Sequence, residues 1–298
     1  MSWRVTIPCS RAQGEAIGDA GDLFPDADDP PVLVAEEPDE SKPDHWLIHA
    51  YFEHQPGGDE IALLSSLGSG PPRIEQLGED DWVTMSQAGL QPIRAGRFTI
   101  HTPTYSPDAD RINFEIDAGL AFGTGQHATT AGCLAALDSL ERTGASFVNV
   151  ADVGTGTGLL AFAALALWPD AKCIATDIDP IAIDVARENA AINRVAIGHG
   201  GGELLLGVAD GMESPMLSAR APYDLIIANI LAGPLIELAP DFAKALAPGG
   251  TVVLAGLLDT QAAGVAEAYE ALGLTLRDGG SGEWPVLVLS SQSQAAGA

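Results

Sequence analysis

The chain has 298 residues, 46% of them hydrophobic, which is enough apolar material for one large and one small domain. Its 41 acidic and 14 basic residues give a formal net charge of −27. This charge argues against direct binding to DNA or RNA, which depends on clustered lysine and arginine. It would attract a basic protein partner, or it serves only to keep the protein soluble, and the charge alone does not separate these two interpretations. No apolar run reaches the roughly 18 residues of a membrane span, and we find no export signal at the start.

Residues 1–80 are predicted to form a small α+β domain. Strand patterns at 3–9, 31–37, 45–54 and 73–77 alternate with helical patterns at 10–24 and 58–67, the β-α-β-β-α-β order of a ferredoxin-like module, with Ser10 as a candidate N-cap. The first 60 residues hold 14 carboxylates and three basic residues. The histidines of this region do not share one face of a strand, so we expect no metal site.

The three cysteines, Cys9, Cys133 and Cys173, are scattered without the spacing of a metal or redox site. We interpret them as small buried hydrophobic residues. They fit a protein of the reducing cytoplasm, and we expect a cytoplasmic location.

Residues 81–94 are predicted to be a linker, and 95–298 an α/β domain. Near-continuous apolar strands alternate with helices, which indicates a parallel sheet covered on both faces. The final two strands are joined without a crossover helix, so one of them should run antiparallel. The predicted strands are 97–101, 146–152, 171–177, 202–209, 223–229, 250–256, 274–278 and 283–291, and the predicted helices are 129–140, 158–168, 180–193, 235–246 and 259–272.

A glycine loop follows the strand 146–152, in the stretch "ADVGTGTGLL". Gly154, Gly156 and Gly158 permit positive φ and let the backbone approach a ligand closely. The helix that follows offers free N–H groups to an anionic group. A loop at the carboxyl edge of an open α/β sheet is where ligands bind.

The spacing of this loop narrows the choice of ligand. A dinucleotide fingerprint would need a third glycine at position 159, where the chain has Leu159. Asp177 ends the next strand, where a carboxylate can accept both hydroxyls of a ribose. Asp177 alone does not separate NAD from S-adenosylmethionine, but the glycine spacing together with Asp177 resembles the class I S-adenosylmethionine-dependent methyltransferases. Asp179 is expected to start a turn or cap the helix that begins at Pro180.

Asn229 ends the strand "YDLIIAN", opposite the glycine loop. Its side chain is expected to face the cofactor pocket, where many methyltransferases of amino groups carry Asn-Pro-Pro-aromatic. Here Ile230 and Leu231 follow instead. The competing interpretation is a helix N-cap, since asparagine is a favoured capping residue.

The stretch "GLAFGTGQHATT" begins at Gly119, shortly before the first strand of the sheet, and is expected to fold over the same pocket. Phe122 would separate the cofactor from water. Thr129 and Thr130 would cap the following helix or share its N-terminus with the methionine carboxylate. His127 is either a base or a structural hydrogen-bonding residue.

The motifs "GLAFGTGxHxTT", "DVGTGTGLLA", "ATDIDPIAIDVARENAAIN", "NILAGPLIELAP" and "EWPVLVLS" resemble one family, the bacterial ribosomal protein methyltransferases known as PrmA. The resemblance covers roughly Arg94 to Ser290. It departs at Gln126, where the family often has a small residue, and in an N-terminal half that is longer and more acidic.

This resemblance implies a class I methyltransferase Rossmann-like sheet with a small N-terminal α+β (ferredoxin-like) domain that recognises the substrate. It implies trimethylation of lysine ε-amines and an N-terminal α-amine of the basic ribosomal protein at the large-subunit stalk base (protein eleven). The implied cofactor contacts are Thr130, Gly154, Asp177 and Asn229, with Gly156 from the loop itself, and Asn229 is the candidate catalytic residue. The rival functions are methylation of another protein or small-molecule amine, a nicotinamide-dependent oxidoreductase, and a binding protein without catalysis.

Overall fold

The computed structural model describes residues 2–15, 24, 31–36, 45–52, 54–77, 92–103, 105–116 and 126–292. The chain divides into two compact units, residues 1–89 and 90–298. Most of the predicted linker, residues 81–91, lies outside the described residues. Ile93–Ala95 already forms a strand of the second unit.

The first unit is an antiparallel sheet with helices. Strand β1 lies at the centre and pairs with β3 on one side and β4 on the other, which gives the order β2-β3-β1-β4 of a ferredoxin-like domain, as predicted. Val5, Ile7, Ile48 and Leu64 form its core. The elements are β1 (Ser2–Cys9), α1 (Arg11–Glu15), β2 (Val32–Glu36), β3 (Trp46–Phe52), α2 (Gly58–Ser65) and β4 (Arg73–Leu77).

Helix α1 begins as the sequence predicts. Ser10 Oγ accepts a hydrogen bond from the Gln13 backbone N–H at 3.3 Å, and Gln13 Oε1 accepts one from the Ser10 backbone N–H at 2.9 Å. These two reciprocal bonds satisfy donors that the first turn of a helix leaves free.

The second unit holds the larger sheet. Its elements are β5 (Ile93–Ala95), β6 (Phe98–His101), β7 (Ile112–Glu115), α3 (Gln126–Arg142), β8 (Asn149–Val153), α4 (Leu159–Leu167), β9 (Lys172–Asp177), α5 (Pro180–Ile192), β10 (Leu204–Val208), α6 (Pro215–Arg220), β11 (Tyr223–Asn229), α7 (Ala232–Glu237), α8 (Ala239–Ala245), β12 (Leu246–Ala255), α9 (Asp259–Glu270), β13 (Thr275–Asp278) and β14 (Leu287–Ser290).

The seven-stranded sheet has the order β10-β9-β8-β11-β12-β14-β13. Strands β8 to β12 pair in parallel, while β14 pairs antiparallel with both β12 and β13. The prediction of a parallel sheet with one antiparallel excursion is therefore confirmed. Strands β9 and β10 extend the sheet from β8 in one direction. The chain then returns to the other side of β8, where β11 and the later strands extend the sheet in the opposite direction.

Two apolar layers cover this sheet. Alternate strand residues such as Val150 and Leu225 pack with α3 and α4, whereas Ala151 and Ile226 face the layer of α6 to α9. Because the strands are buried on both faces, their sequences read as continuous apolar runs. The three cysteines are free thiols and buried, as predicted. Burial raises the pKa of the Cys133 and Cys173 thiols.

Several elements differ from the prediction. The helix predicted over 235–246 is divided at Leu238 into α7 and α8, because Pro240 has no N–H to continue the first helix. Helix α6 and the strands β5 and β7 were not predicted, whereas β6 matches the strand predicted over 97–101. These three strands form a small separate sheet. That small sheet is held to α3 by Arg97, whose guanidinium pairs with Asp138 and Glu141.

Candidate functional site

A cleft of about 690 Å³ opens at the edge of the sheet where the parallel strands end. This volume suits a drug-sized or cofactor-sized ligand. Asp179 is the only charged side chain among its described lining residues. Those residues are Thr129, Thr130, Gly154, Thr155, Gly156, Thr157, Leu159, Leu160, Asp179, Ile181, Ala182, Val185, Asn229, Ile230, Leu231, Gly256 and Trp284.

The glycine loop forms the floor of this cleft. Gly154 and Gly156 have φ of +75° and +53°, which a side chain would strain. A Cβ at Gly154 would lie 2.3 Å from Ile230 Cγ2, so the loop packs directly against the turn after β11. A Cβ at Gly156 would meet nothing within 4 Å, so at this position the backbone is open to a ligand.

Asp152, near the end of β8, holds the loop through hydrogen bonds to its carboxylate. Its Oδ2 accepts hydrogen bonds from Thr155 Oγ1 at 2.6 Å and from the Ala161 backbone N–H at 3.1 Å. Its Oδ1 is buried with no partner among the described residues. Burial raises the pKa of Asp152 to about 6, against the lowering effect of the two hydrogen bonds.

Asp177 and Asp179 have different positions beside the loop. Asp177 Oδ2 accepts from the Gly156 N–H at 2.9 Å, and Oδ1 accepts from the Asp179 N–H at 3.1 Å. Asp177 is therefore connected to the cleft by its hydrogen bond with Gly156 and is not itself among the described lining residues. Asp179 caps α5, as predicted, with its Oδ1 accepting from the Ile181 N–H at 2.8 Å.

Asn229 and Thr130 meet beside the loop and line the same cleft. The Asn229 side-chain amide Nδ2 donates to Thr130 Oγ1 at 3.3 Å. The N-cap of α7 is Leu231, so Asn229 is not the helix cap of the competing interpretation. Capping of α3 by Thr129 and Thr130 is also wrong, because the helix begins at Gln126 and puts both threonines in its interior.

Three residues without a predicted role also line the cleft: Ile230, Gly256 and Trp284. Gly256 has φ of +86°, and a Cβ there would lie 2.3 Å from the Ile230 carbonyl oxygen. Ile230 is thus enclosed by Gly154 on one side and Gly256 on the other, which fixes the turn that carries Asn229. In the sequence, the only sign of this contact is that the predicted strand 250–256 ends in a glycine, Gly256.

Several predicted residues fall outside the described part of the chain. These are Gly119 to Gly125, including Phe122, and the side chain of His127. Among the residues that the structure describes, no group of three or more His, Cys, Asp or Glu side chains is arranged to hold a metal ion. No helix within those residues has the length and apolar character needed to span a membrane.

The sheet order, the loop after β8 and the polar residues at the ends of neighbouring strands define a class I methyltransferase fold. The profile of the family "Ribosomal protein L11 methyltransferase (PrmA)" matches residues 10–292. The chain belongs to this family.

Individual relatives agree with this assignment. A ribosomal protein L11 methyltransferase of Caulobacter sp. (strain K31) is 41% identical over 292 residues, which cover 94% of each chain. One from Brucella suis is 48% identical over 235 residues, covering 76% of this chain and 78% of the relative. The crystal structure of ribosomal protein L11 methylase from Lactobacillus delbrueckii subsp. bulgaricus has a TM-score of 0.58 and 30% identity, covering 68% of this chain and all of that one.

Proposed function

We propose that this chain transfers methyl groups from S-adenosylmethionine to lysine ε-amines, and to the N-terminal α-amine, of ribosomal protein L11. One observation carries the proposal: the glycine loop, which Asp177 holds at Gly156, and the Asn229–Thr130 pair line one cleft. The glycine loop with Asp177 suits a nucleoside, and the Asn229–Thr130 pair suits an amine. The relatives named as L11 methyltransferases support the substrate.

The residues present fit the cofactor. Gly156 leaves its backbone open where the cofactor would pass, and each Asp177 oxygen keeps a free lone pair for a ribose hydroxyl. Gly154 and Thr130 complete the proposed contacts, with Thr130 offering its side-chain hydroxyl to the methionine carboxylate. A cleft whose described lining has a carboxylate and no basic side chain also suits a cationic sulfonium.

When bound, S-adenosylmethionine supplies a sulfonium methyl group, to which a neutral amine adds through its lone pair while the C–S bonding electrons pass to sulfur. The protein must therefore present the amine without its proton. At pH 7 this costs about 4.6 kcal/mol for a lysine of ordinary pKa. Burial of the amine in the cleft favours the neutral form.

Asn229 is the proposed catalytic residue. Its Nδ2 is engaged by Thr130 Oγ1, so its amide oxygen remains to accept a hydrogen bond from the amine and to aim the lone pair. Catalysis then rests on positioning and on exclusion of water, and it requires no protein base.

The two units have separate proposed roles. Residues 1–80 recognise the substrate, 81–94 link the units, and 95–298 carry the reaction. The acidity of the first 60 residues supports docking of a basic ribosomal protein without direct contact to nucleic acid or membrane. This assignment implies a cytoplasmic enzyme.

The test is methyl transfer from labelled S-adenosylmethionine into purified L11 and into a total ribosomal extract, with the methylated residues located by mass spectrometry. We expect label on lysine side chains and on the N-terminus of L11. Label on another protein, on a small-molecule amine or on RNA would contradict the proposal that L11 is the substrate. Binding of NADH in place of S-adenosylmethionine would overturn the reaction class.

A further inference from the structure

The antiparallel strand β14 brings an aromatic side chain to the reacting edge of the sheet. Leu287, the first residue of β14, pairs with Leu254 near the end of β12. The segment that leads into β14 therefore lies beside the carboxyl ends of the parallel strands. Trp284 in this segment lines the cleft together with Asn229 and Leu231.

The segment around Trp284 is anchored on both sides. The Glu283 carbonyl accepts a hydrogen bond from the Asp259 N–H, at the start of α9, at 3.0 Å. Val286 packs on α3 so closely that a Cβ at Gly132 would lie 2.6 Å from Val286 Cγ2. Trp284 is half-buried between these two anchors, so its ring is held at the cleft wall.

The chemistry of the cleft indicates what kind of group this ring can bind. Trp284 is the only aromatic residue among the described lining residues, and the one charged residue, Asp179, belongs to the α5 side. Each methylation of an amine removes an N–H that an amide oxygen such as that of Asn229 can hold. A trimethylammonium group has none left, yet it is cationic and apolar, and among aromatic side chains the face of tryptophan binds such a cation best.

We propose that Trp284 is a specificity-determining residue that binds the methylated ammonium group and so favours repeated methylation of one amine. This rests on the proposed function, in that the acceptor is an amine. Asn229 then binds the unmethylated amine through its N–H groups. Contact with Trp284 contributes more to binding as methyl groups replace these N–H groups.

The test is a binding measurement that does not need turnover. The probes are N-acetyl-trimethyllysine amide and its neutral isostere, in which a tert-butyl group replaces trimethylammonium, each titrated by NMR with S-adenosylhomocysteine present. The wild type is expected to prefer the cation, and Trp284→Leu to reduce that preference by about twofold to thirtyfold. Trp284→Phe should keep part of it. Leu272→Ala is the control and should leave the preference unchanged, because Leu272 is apolar, 44% exposed and not among the described lining residues of the cleft.

The outcomes separate this inference from the proposed function. An unchanged preference in Trp284→Leu, or equal binding of both probes by the wild type, would overturn the role of Trp284 even if L11 is methylated. A preference that depends on Trp284, in an enzyme that leaves L11 unmodified, would support the methylammonium site and reject the substrate instead. Accumulation of monomethylated and dimethylated L11 with Trp284→Leu would further support the inference.

Discussion

Three aspartates near the glycine loop show how position decides the behaviour of one side-chain type. Asp152 is buried and holds the loop, Asp177 joins the loop to the end of β9, and Asp179 caps α5. Burial raises the pKa of Asp152 to about 6. A buried carboxylate with one oxygen unpaired among the described residues resists ionisation, since its charge has lost water without full replacement.

Asp152 should make the fold less stable as the pH rises. Its folded-state pKa is raised above the ordinary value of 3.8, so the folded state holds the proton more tightly, and this stabilisation is lost as the pH passes through about 6. In Asp152→Asn the amide oxygen can keep both hydrogen bonds, and the group no longer titrates. Urea unfolding should show the wild type losing about 1.4 kcal/mol relative to the variant between pH 5 and pH 8. A constant difference between the two proteins across this range would contradict the burial argument.

Asn229 should affect the reaction more than cofactor binding. Asn229→Ala is expected to lower kcat by about tenfold to a hundredfold, while the Kd of S-adenosylhomocysteine changes by about threefold or less, because the proposed interaction is with the amine. The matched control is Asn149→Ala, at the opposite end of a neighbouring strand, whose amide donates to the Arg220 and Pro222 carbonyls. That control should reduce stability and leave kcat unchanged. Equal losses of kcat and cofactor affinity in Asn229→Ala would refute the orienting role.

At the scale of the element, the cleft depends on backbone contacts between strand ends. The Gly154 and Thr155 N–H groups both donate to the Thr176 carbonyl of β9, at 2.8 and 2.9 Å. On the other side of the loop, Ile230 fills the space that side chains at Gly154 and Gly256 would occupy. The loop after β8 is thus fixed by its neighbours on both sides before any ligand binds.

A methyl group at Gly156 should weaken cofactor binding selectively. Gly156→Ala imposes left-handed strain of about 1 to 2 kcal/mol and adds a methyl group at the open part of the loop. Gly144 is a matched control, since it also has positive φ, at +88°, with nothing within 4 Å of a Cβ, in the turn after α3. Isothermal titration should give at least tenfold weaker binding of S-adenosylmethionine for Gly156→Ala and unchanged binding for Gly144→Ala, with similar losses of unfolding free energy. Unchanged affinity in both variants would show that the ligand does not pass this glycine.

Regular patterns made most of this architecture predictable. Buried parallel strands leave continuous apolar runs, and the glycine spacing before Leu159 marks the loop, so the sheet and the position of the cleft followed from the sequence. Short elements such as β5 and α6 have too few residues to show a period, because their formation depends on contacts with the rest of the fold. Trp284 is distant in sequence from Asn229, and only the antiparallel pairing of β14 brings them to one cleft.

At the scale of the whole molecule, charge and chemistry act in opposite directions. A net charge of −27 would attract a basic substrate such as the one proposed, over distances beyond contact. The same negative field stabilises the ammonium form of the amine, which cannot react. The resolution proposed here is local: long-range attraction brings the substrate to the enzyme, and burial in the cleft removes the proton from the single amine that reacts.

Salt should therefore slow capture of the substrate more than cofactor binding. Raising the ionic strength from about 50 to about 300 mM shortens the screening length below 10 Å. We expect kcat/KM for L11 to fall by about threefold to tenfold, because steering of a basic partner is screened. The Kd of S-adenosylhomocysteine, measured in parallel, should change by less than about twofold. If kcat/KM is independent of salt, the acidic surface has no part in substrate capture.

The most direct test of the whole account is a crystal structure of the protein with S-adenosylhomocysteine. On this account, the ribose hydroxyls lie at the Asp177 carboxylate, the chain of the ligand passes over Gly156, and the sulfur is directed toward Asn229 and Trp284. A ligand bound elsewhere, or bound in this cleft with its sulfur directed away from Asn229, would contradict it.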